Sequence, residues 1–177
     1  RIARRQRQMC IRDRVYSSDG NVLGTFYYEN RTPVEYNDLS SDMINALIST
    51  EDERFREHSG IDLKSLLRAS IGVFTGRYSG GASTITQQLA KMLFTDVSSS
   101  LFERIKQKFK EWFISIQLER NFTKNEILTM YLNKFDFLYQ AVGIKSAAKT
   151  YFNKLPKDLN LEESATLVGM LKNPSLY

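Results

Sequence analysis

An acid stands where a helical pattern calls for a hydrophobe. The stretch runs Glu51-Asp52-Glu53-Arg54-Phe55-Arg56-Glu57-His58-Ser59-Gly60. Ile44, Leu47, Ile48, Phe55 and His58 recur at three- and four-residue spacing, which predicts one face of a helix from near Asp38 to Gly60. Glu51 falls within that stripe. A carboxylate turned toward a core is costly unless it is paired or neutralised. Desolvation raises carboxylate pKa values, which tunes such a group toward base catalysis near neutral pH. A paired structural Glu, or a different helix phase, accounts for the spacing equally well. His58 reads as a base or, more simply, as a hydrogen-bonding residue at a helix end.

A second candidate is Gly80-Gly81-Ala82-Ser83-Thr84-Ile85-Thr86-Gln87-Gln88-Leu89-Ala90-Lys91. Glycines let a ligand approach the backbone, and the helix start that follows presents free N–H groups. Those groups and the helix dipole favour an anion such as phosphate, with Lys91 adding a point charge. No Gly-Lys-Ser/Thr follows the glycines, so this is not a Walker loop. An ordinary capped helix after a loop is the plain alternative. Further on, Arg104, Gln107, Lys108 and Glu111 share one side of a long helix. Phe102, Ile105, Phe109, Trp112, Phe113 and Ile116 form the other. Glu111 thus reads as a solvated acid pairing with Lys108, although Ile114 and Leu118 continue that side as apolar, which allows a helix buried over its second half. Tyr131, Asn133 and Phe137 either line a site or pack.

Around these residues the pattern is mainly α with a small N-terminal β-hairpin region. Val15-Tyr16 and Val22–Tyr28 flank Asp19-Gly20, a hairpin signal. Asp38, Ser40 and Ser41 are candidate caps for the helix carrying Glu51. Helices are expected over 61–74, from Ser83 or Thr84 to Phe94, from Ser98-Ser99-Ser100 to Arg120, and over 141–152. Thr123 with Glu126, and Asn160 with Glu163, form capping boxes for helices through Leu132 and over Leu161–Leu171. The 61–78 segment is too short to span a bilayer. Its apolar residues with Lys64, Arg68 and Arg77 suit either a core helix or shallow insertion at a lipid interface.

Composition narrows the function. A chain of 177 residues with 42% hydrophobic residues makes one domain with an ample core. One Cys excludes an internal disulfide, and one His leaves a zinc site dependent on carboxylates. The net charge of +5 is confined to residues 1–14, which hold Arg1, Arg4, Arg5, Arg7, Arg12 and Arg14 against Asp13. That segment resembles translated sequencing adapter and is set apart as non-native, the alternative being a basic juxtamembrane arm. Without it the chain is neutral and has no basic stripe, so nucleic acid is not an expected partner.

Taken together, these segments resemble the peptidoglycan glycosyltransferase domain (glycosyltransferase family 51) of class A penicillin-binding proteins and their monofunctional relatives. The family motif E-D-x-x-F-x-x-H-x-G is matched from Glu51 to Gly60, and G-G-S-T-I-T-Q-Q from Gly81 to Gln88 with Ala82 in place of its second Gly. R-K-x-x-E appears as Gln107-Lys108-Phe109-Lys110-Glu111, without its Arg. A fourth motif resembles Ile127–Asn133 with Phe137 following, where Leu138 stands for the usual Gly. A fifth resembles Ala165–Leu171 running on to Pro174 and Tyr177.

The resemblance covers roughly residues 15–177, read as one glycosyltransferase domain cut at its C-terminus. It implies a lysozyme-like helical fold whose membrane-dipping jaw includes residues 61–78. It implies polymerisation of lipid II into β-1,4 glycan strands, with inversion, from an undecaprenyl-pyrophosphate-linked donor strand. By motif position Glu51 is the implied general base and Glu111 the second carboxylate. Asp52, Phe55, His58, Ser83, Thr84, Gln87 and Gln88 are implied substrate-binding residues. Lys91, Arg104, Lys108 and Lys110 are implied contacts of the donor phosphates. No cofactor is expected to be permanently bound, and Mg²⁺ or Mn²⁺ is expected to stimulate, transiently, near Glu111. The implied location is the extracytoplasmic or periplasmic side of the cytoplasmic membrane, with other cell-wall synthesis proteins as partners. Two rival readings are a lysozyme-like hydrolase or lytic transglycosylase, which also uses a buried Glu, and a non-catalytic membrane or scaffold domain.

Overall fold

The computed structural model describes residues 12–16, 22–27, 33–76, 81, 83–94, 100–139 and 141–172. Strand β1 (Arg12–Tyr16) pairs antiparallel with β2 (Val22–Tyr27), Arg12 opposite Tyr27 and Arg14 opposite Thr25. The turn expected at Asp19-Gly20 lies outside the described residues. Apart from this pair and a single bridge between Asp136 and Val142, the described fold is helical. Its helices are α1 (Ser41–Glu51), α2 (Leu63–Phe74), α3 (Ile85–Phe94), α4 (Leu101–Asn121), α5 (Lys124–Lys134), α6 (Ile144–Phe152) and α7 (Leu161–Lys172).

Local chemistry sets most of these boundaries. Ser40 caps α1 by accepting from the Met43 N–H at 3.1 Å. Thr84 caps α3 by accepting from the Gln87 N–H at 3.2 Å. Thr123 with Glu126 and Asn160 with Glu163 make reciprocal capping boxes at α5 and α7. Asn153, left-handed at φ 54°, ends α6.

The core forms where α1 lies against α7, and where α3 and α6 meet α5. Met43, Leu47, Ile85, Leu89, Ile127, Leu128, Leu132, Ile144 and Leu167 are fully buried there. Each contributes about 1.5–3 kcal/mol of transfer free energy. The Asn133 amide clamps the chain before α1, accepting from the Val34 N–H and donating to the Val34 carbonyl, both at 2.9 Å.

Two expectations fail here. The helix carrying Glu51 does not reach Gly60. It stops at Glu51, because Asp52 leaves helical geometry (φ −160°, ψ 74°) and commits its carboxylate to groups outside the helix. Residues 53–59 follow as turns, and Phe55 reaches the core from there rather than from a helix face. The second failure is α4. Glu111 was expected to be solvated opposite the aromatic stripe, yet Phe109 is 62% exposed and Glu111 only 4%. Phe102, Ile105 and Phe113 are also exposed, whereas Ser115 and Leu118 are buried on the Glu111 side. That side is inward because it packs on α3.

Candidate active site

Three segments distant in sequence converge on the end of α1. Glu51, the last residue of α1, is half-buried and accepts from Gln88 Nε2 of α3 at 2.8 Å. Gln88 Oε1 in turn accepts from the Tyr131 hydroxyl of α5 at 2.9 Å. Burial, and then the Glu51 carboxylate, push the Tyr131 phenol up, so it stays an O–H donor. Glu51 opens on a small cleft of about 70 Å³, lined also by Asp52, Arg54, Asp62, Arg68, Gly81, Ser83 and Thr84.

At Ser83 this cleft meets the polar side of α4. Lys108 Nζ donates to Ser83 Oγ at 3.0 Å and to Glu111 Oε2 at 3.1 Å. Gln107 Nε2 donates to Glu111 Oε1 at 3.2 Å. Glu111 is therefore a buried carboxylate with both oxygens engaged, not the solvated acid its helix position suggested. The position where the family motif carries Arg keeps a hydrogen bond to Glu111 through Gln107 but supplies no charge. Arg104 lies two turns before Glu111 on the same side and is exposed; Lys91 is exposed in the last turn of α3. Neither lacks an interaction partner. Lys110 is exposed and about a quarter-turn round the helix from Glu111, so it does not face the carboxylate.

The rest of the first motif holds the segments together. Gly60 N–H donates to His58 Nδ1 at 3.2 Å, which leaves the proton on Nε2, facing the Asp52 carboxylate at 2.9 Å. Asp52 also accepts from the Ile85 N–H at 3.1 Å, satisfying a free donor at the start of α3. The Gly60 carbonyl accepts from Thr84 Oγ1 at 2.7 Å and from Gln87 Nε2 at 3.2 Å. Lys124 Nζ reaches the His58 carbonyl at 2.6 Å and Glu119 at 2.8 Å, and lies 4.3 Å over the Phe55 ring. Phe55, His58 and Gln87, expected at the substrate, are thus turned into the protein, with their contacts spent on bracing the cleft. Asp52 and Thr84 brace it as well while lining it.

Two features of the wall escaped the sequence reading. Asp62 accepts from Arg54 and from the Lys64 and Ser65 N–H groups, capping α2. Burial alone would raise its carboxyl, but the Ser65 hydrogen bonds and the Arg54 guanidinium outweigh that and leave it at about 2. An Asp immediately before an apolar helical run was the available signal. The other is Gly60 against Ser115, a close approach that the small Ser in an aromatic-rich helix could have flagged.

Glu111 as it stands is not a preformed site for a resident cation. Both carboxylate oxygens already hold N–H donors, one an ammonium that competes with a metal. Among the described residues no three His, Cys, Asp or Glu side chains gather as ligands. Gly80, Ala82, Ser98, Ser99, Pro174 and Tyr177 lie outside the described residues.

The sequence model of the transglycosylase family matches residues 19–177. The chain is 42% identical to penicillin-binding protein 1A of Escherichia coli K12 over 164 residues, 92% of this chain and 19% of that protein. It is 42% identical to penicillin-binding protein 1A of Pseudomonas aeruginosa over 176 residues, 99% of this chain and 21% of that protein. It is 41% identical to penicillin-binding protein 1F of Bacillus subtilis over 165 residues, 93% of this chain and 22% of that protein. The chain thus spans about a fifth of the length of the curated relatives it matches. Matched along nearly its whole length, the chain belongs to the transglycosylase family.

Proposed function

We propose that this domain polymerises lipid II into β-1,4 glycan strands, adding lipid II as acceptor to a strand carried on undecaprenyl pyrophosphate. The observation that carries the reading is the placement of Glu51 at a cleft whose far wall, Ser83, is bonded to the Lys108–Glu111 pair. A base for an incoming hydroxyl and cationic groups for a departing pyrophosphate are what the reaction needs. Glu51 takes the proton from the acceptor C4 hydroxyl as its oxygen attacks the anomeric carbon. The bond to pyrophosphate breaks on the opposite face, so the α-linked donor gives a β product. Lys108, with Arg104 and Lys91, offsets the charge that develops on the leaving pyrophosphate. Glu111 holds the Lys108 ammonium in place. A divalent cation, Mg²⁺ or Mn²⁺, enters this scheme with the substrate pyrophosphate rather than as a resident of the protein.

The fold proposed is lysozyme-like, with the catalytic face outside the cytoplasmic membrane. Leu63, Leu67 and Ile71 of α2 are exposed beside Lys64 and Arg68, and α4 exposes Phe102, Ile105, Phe109 and Phe113. Apolar faces edged by basic residues suit the lipid interface from which a lipid-linked substrate arrives, so the membrane contact through residues 61–78 extends to α4. Other cell-wall synthesis proteins are the proposed partners at that surface. Among the described residues no helix is long and apolar enough to cross a membrane.

Glu51→Gln tests the base. With lipid II as substrate, the variant is expected to lose at least 10²-fold in turnover while still binding lipid II, from the usual contribution of general-base catalysis. Near-native turnover refutes the assignment. Incubating the unmodified protein with finished peptidoglycan separates transfer from hydrolysis: release of soluble fragments without strand growth on lipid II would reject the transferase reading.

A further inference from the structure

We infer that Tyr131 is a positioning residue for Glu51, acting through the Gln88 amide to keep that carboxylate a hydrogen-bond acceptor. The inference rests on Glu51 being the base. A glutamine amide has two ends of nearly the same shape, and only its partners decide which end points where. Tyr131 decides here. It is fully buried, its ring is packed 6.0 Å from that of Phe135, and its hydroxyl lies 2.9 Å from Gln88 Oε1. An O–H donor fixes the amide oxygen toward itself. The NH₂ end is then forced toward Glu51 Oε2, at 2.8 Å. An amide N–H only donates, so it favours the carboxylate, the form able to receive a proton. The reversed amide would offer its oxygen instead and favour the protonated acid, which is useless as a base.

The three residues come from α5, α3 and the end of α1, separated by 43 and 37 positions. The relay is therefore a property of the assembled fold. Tyr131 is too deeply buried to touch substrate. Its hydrogen-bonded route to Glu51 passes through Gln88.

Tyr131→Phe removes the hydroxyl and keeps the ring. We expect kcat on lipid II to fall about tenfold with KM changed less than twofold, since ground-state binding is untouched. The acidic limb of the kcat–pH profile moves to higher pH, because the freed amide can now stabilise protonated Glu51. Gln88→Ala combined with Tyr131→Phe is no slower than Gln88→Ala alone, as for groups acting as one unit. Unchanged kcat and an unmoved acidic limb in Tyr131→Phe overturn the relay, as do fully additive losses in the double variant. A thermal melt checks folding. Should Tyr131→Phe fail to fold, Gln88→Met removes both hydrogen bonds at similar length, and an unmoved acidic limb there overturns the relay. Glu51→Gln run in parallel keeps the two ideas apart. If it retains turnover, the base reading is wrong; if it is inactive while Tyr131→Phe matches the unmodified protein, only the relay is.

Discussion

Gly60→Ala isolates the strap that holds the first motif against α3 and α4. Gly60 sits at φ +91°, where a side chain costs about 1–2 kcal/mol in backbone strain. A Cβ there would lie 2.9 Å from both the carbonyl carbon and the oxygen of Ser115. Such a contact needs backbone movement, which in a packed region costs about 1–3 kcal/mol. The loop cannot simply withdraw, because its carbonyl holds Thr84 and Gln87, at about 1 kcal/mol net for each bond. The expected loss is about 3–5 kcal/mol. Urea unfolding, with a slope of about 1–3 kcal/mol per molar, would show it as a midpoint at least about 1 M lower. The clash is with main-chain atoms, so Ser115→Gly should not rescue the variant. A loss under about 1 kcal/mol, or rescue by Ser115→Gly, would show that the close approach and the backbone conformation are not what Gly60 is there for.

Acid should unfasten α2 from the cleft wall. The Asp62 carboxyl is held at about 2 against an ordinary 3.8, so its stabilising effect is full above about pH 4 and is lost as pH falls through 2. Arg54 is partly solvated, and we expect about 1–2 kcal/mol of extra destabilisation between pH 5 and 2 relative to Asp62→Asn, read by denaturant unfolding at each pH; parallel pH dependences for the two proteins would contradict this. Leu138 occupies a left-handed conformation at φ 65°, where the family motif has Gly. Leu138→Gly should gain about 0.5–1 kcal/mol in thermal unfolding, since relief of about 1–2 kcal/mol of strain outweighs the added chain entropy of the unfolded Gly; a clear loss would mean that the side chain packs more than its exposure indicates.

What the sequence revealed depended on how local the cause was. Thr123 with Glu126 and Asn160 with Glu163 carry their partners three residues away, and both boxes formed where the pattern put them. The Ser83–Thr84 cap behaved likewise. Non-local causes were invisible. Asp52 was expected only at the substrate, by motif position, yet its bonds to His58 and to Ile85 N–H, 33 residues on, end α1 and orient α3. Counting a three-four spacing through Asp52 extended a helix that its carboxylate had already stopped. Motif position singled out Glu51, Ser83, Gln88, Lys108 and Glu111, which the fold links around one cleft, but it could not distinguish them from Phe55, His58 and Gln87, which pack behind it.

The inversion of α4 has a deeper cause. An apolar stripe at helical spacing marks a boundary between water and something less polar; it does not say that the less polar phase is protein. On α4 the protein side is the polar one. Gln107, Lys108, Glu111 and Ser115 face Ser83 and Gly60, and Glu111 tolerates burial because two N–H donors meet it there. The opposite side leaves four large apolar side chains more than half exposed. Each would gain about 1.5–3 kcal/mol on full transfer out of water, so even partial insertion at a lipid surface is worth several kcal/mol in total. The same helix would then present its cations to the pyrophosphate from one side while its aromatics sit in the layer that holds the lipid carrier. On the proposed function, reaction chemistry and membrane contact would be two faces of one amphipathic helix, and the pattern that misled the core assignment would follow from both.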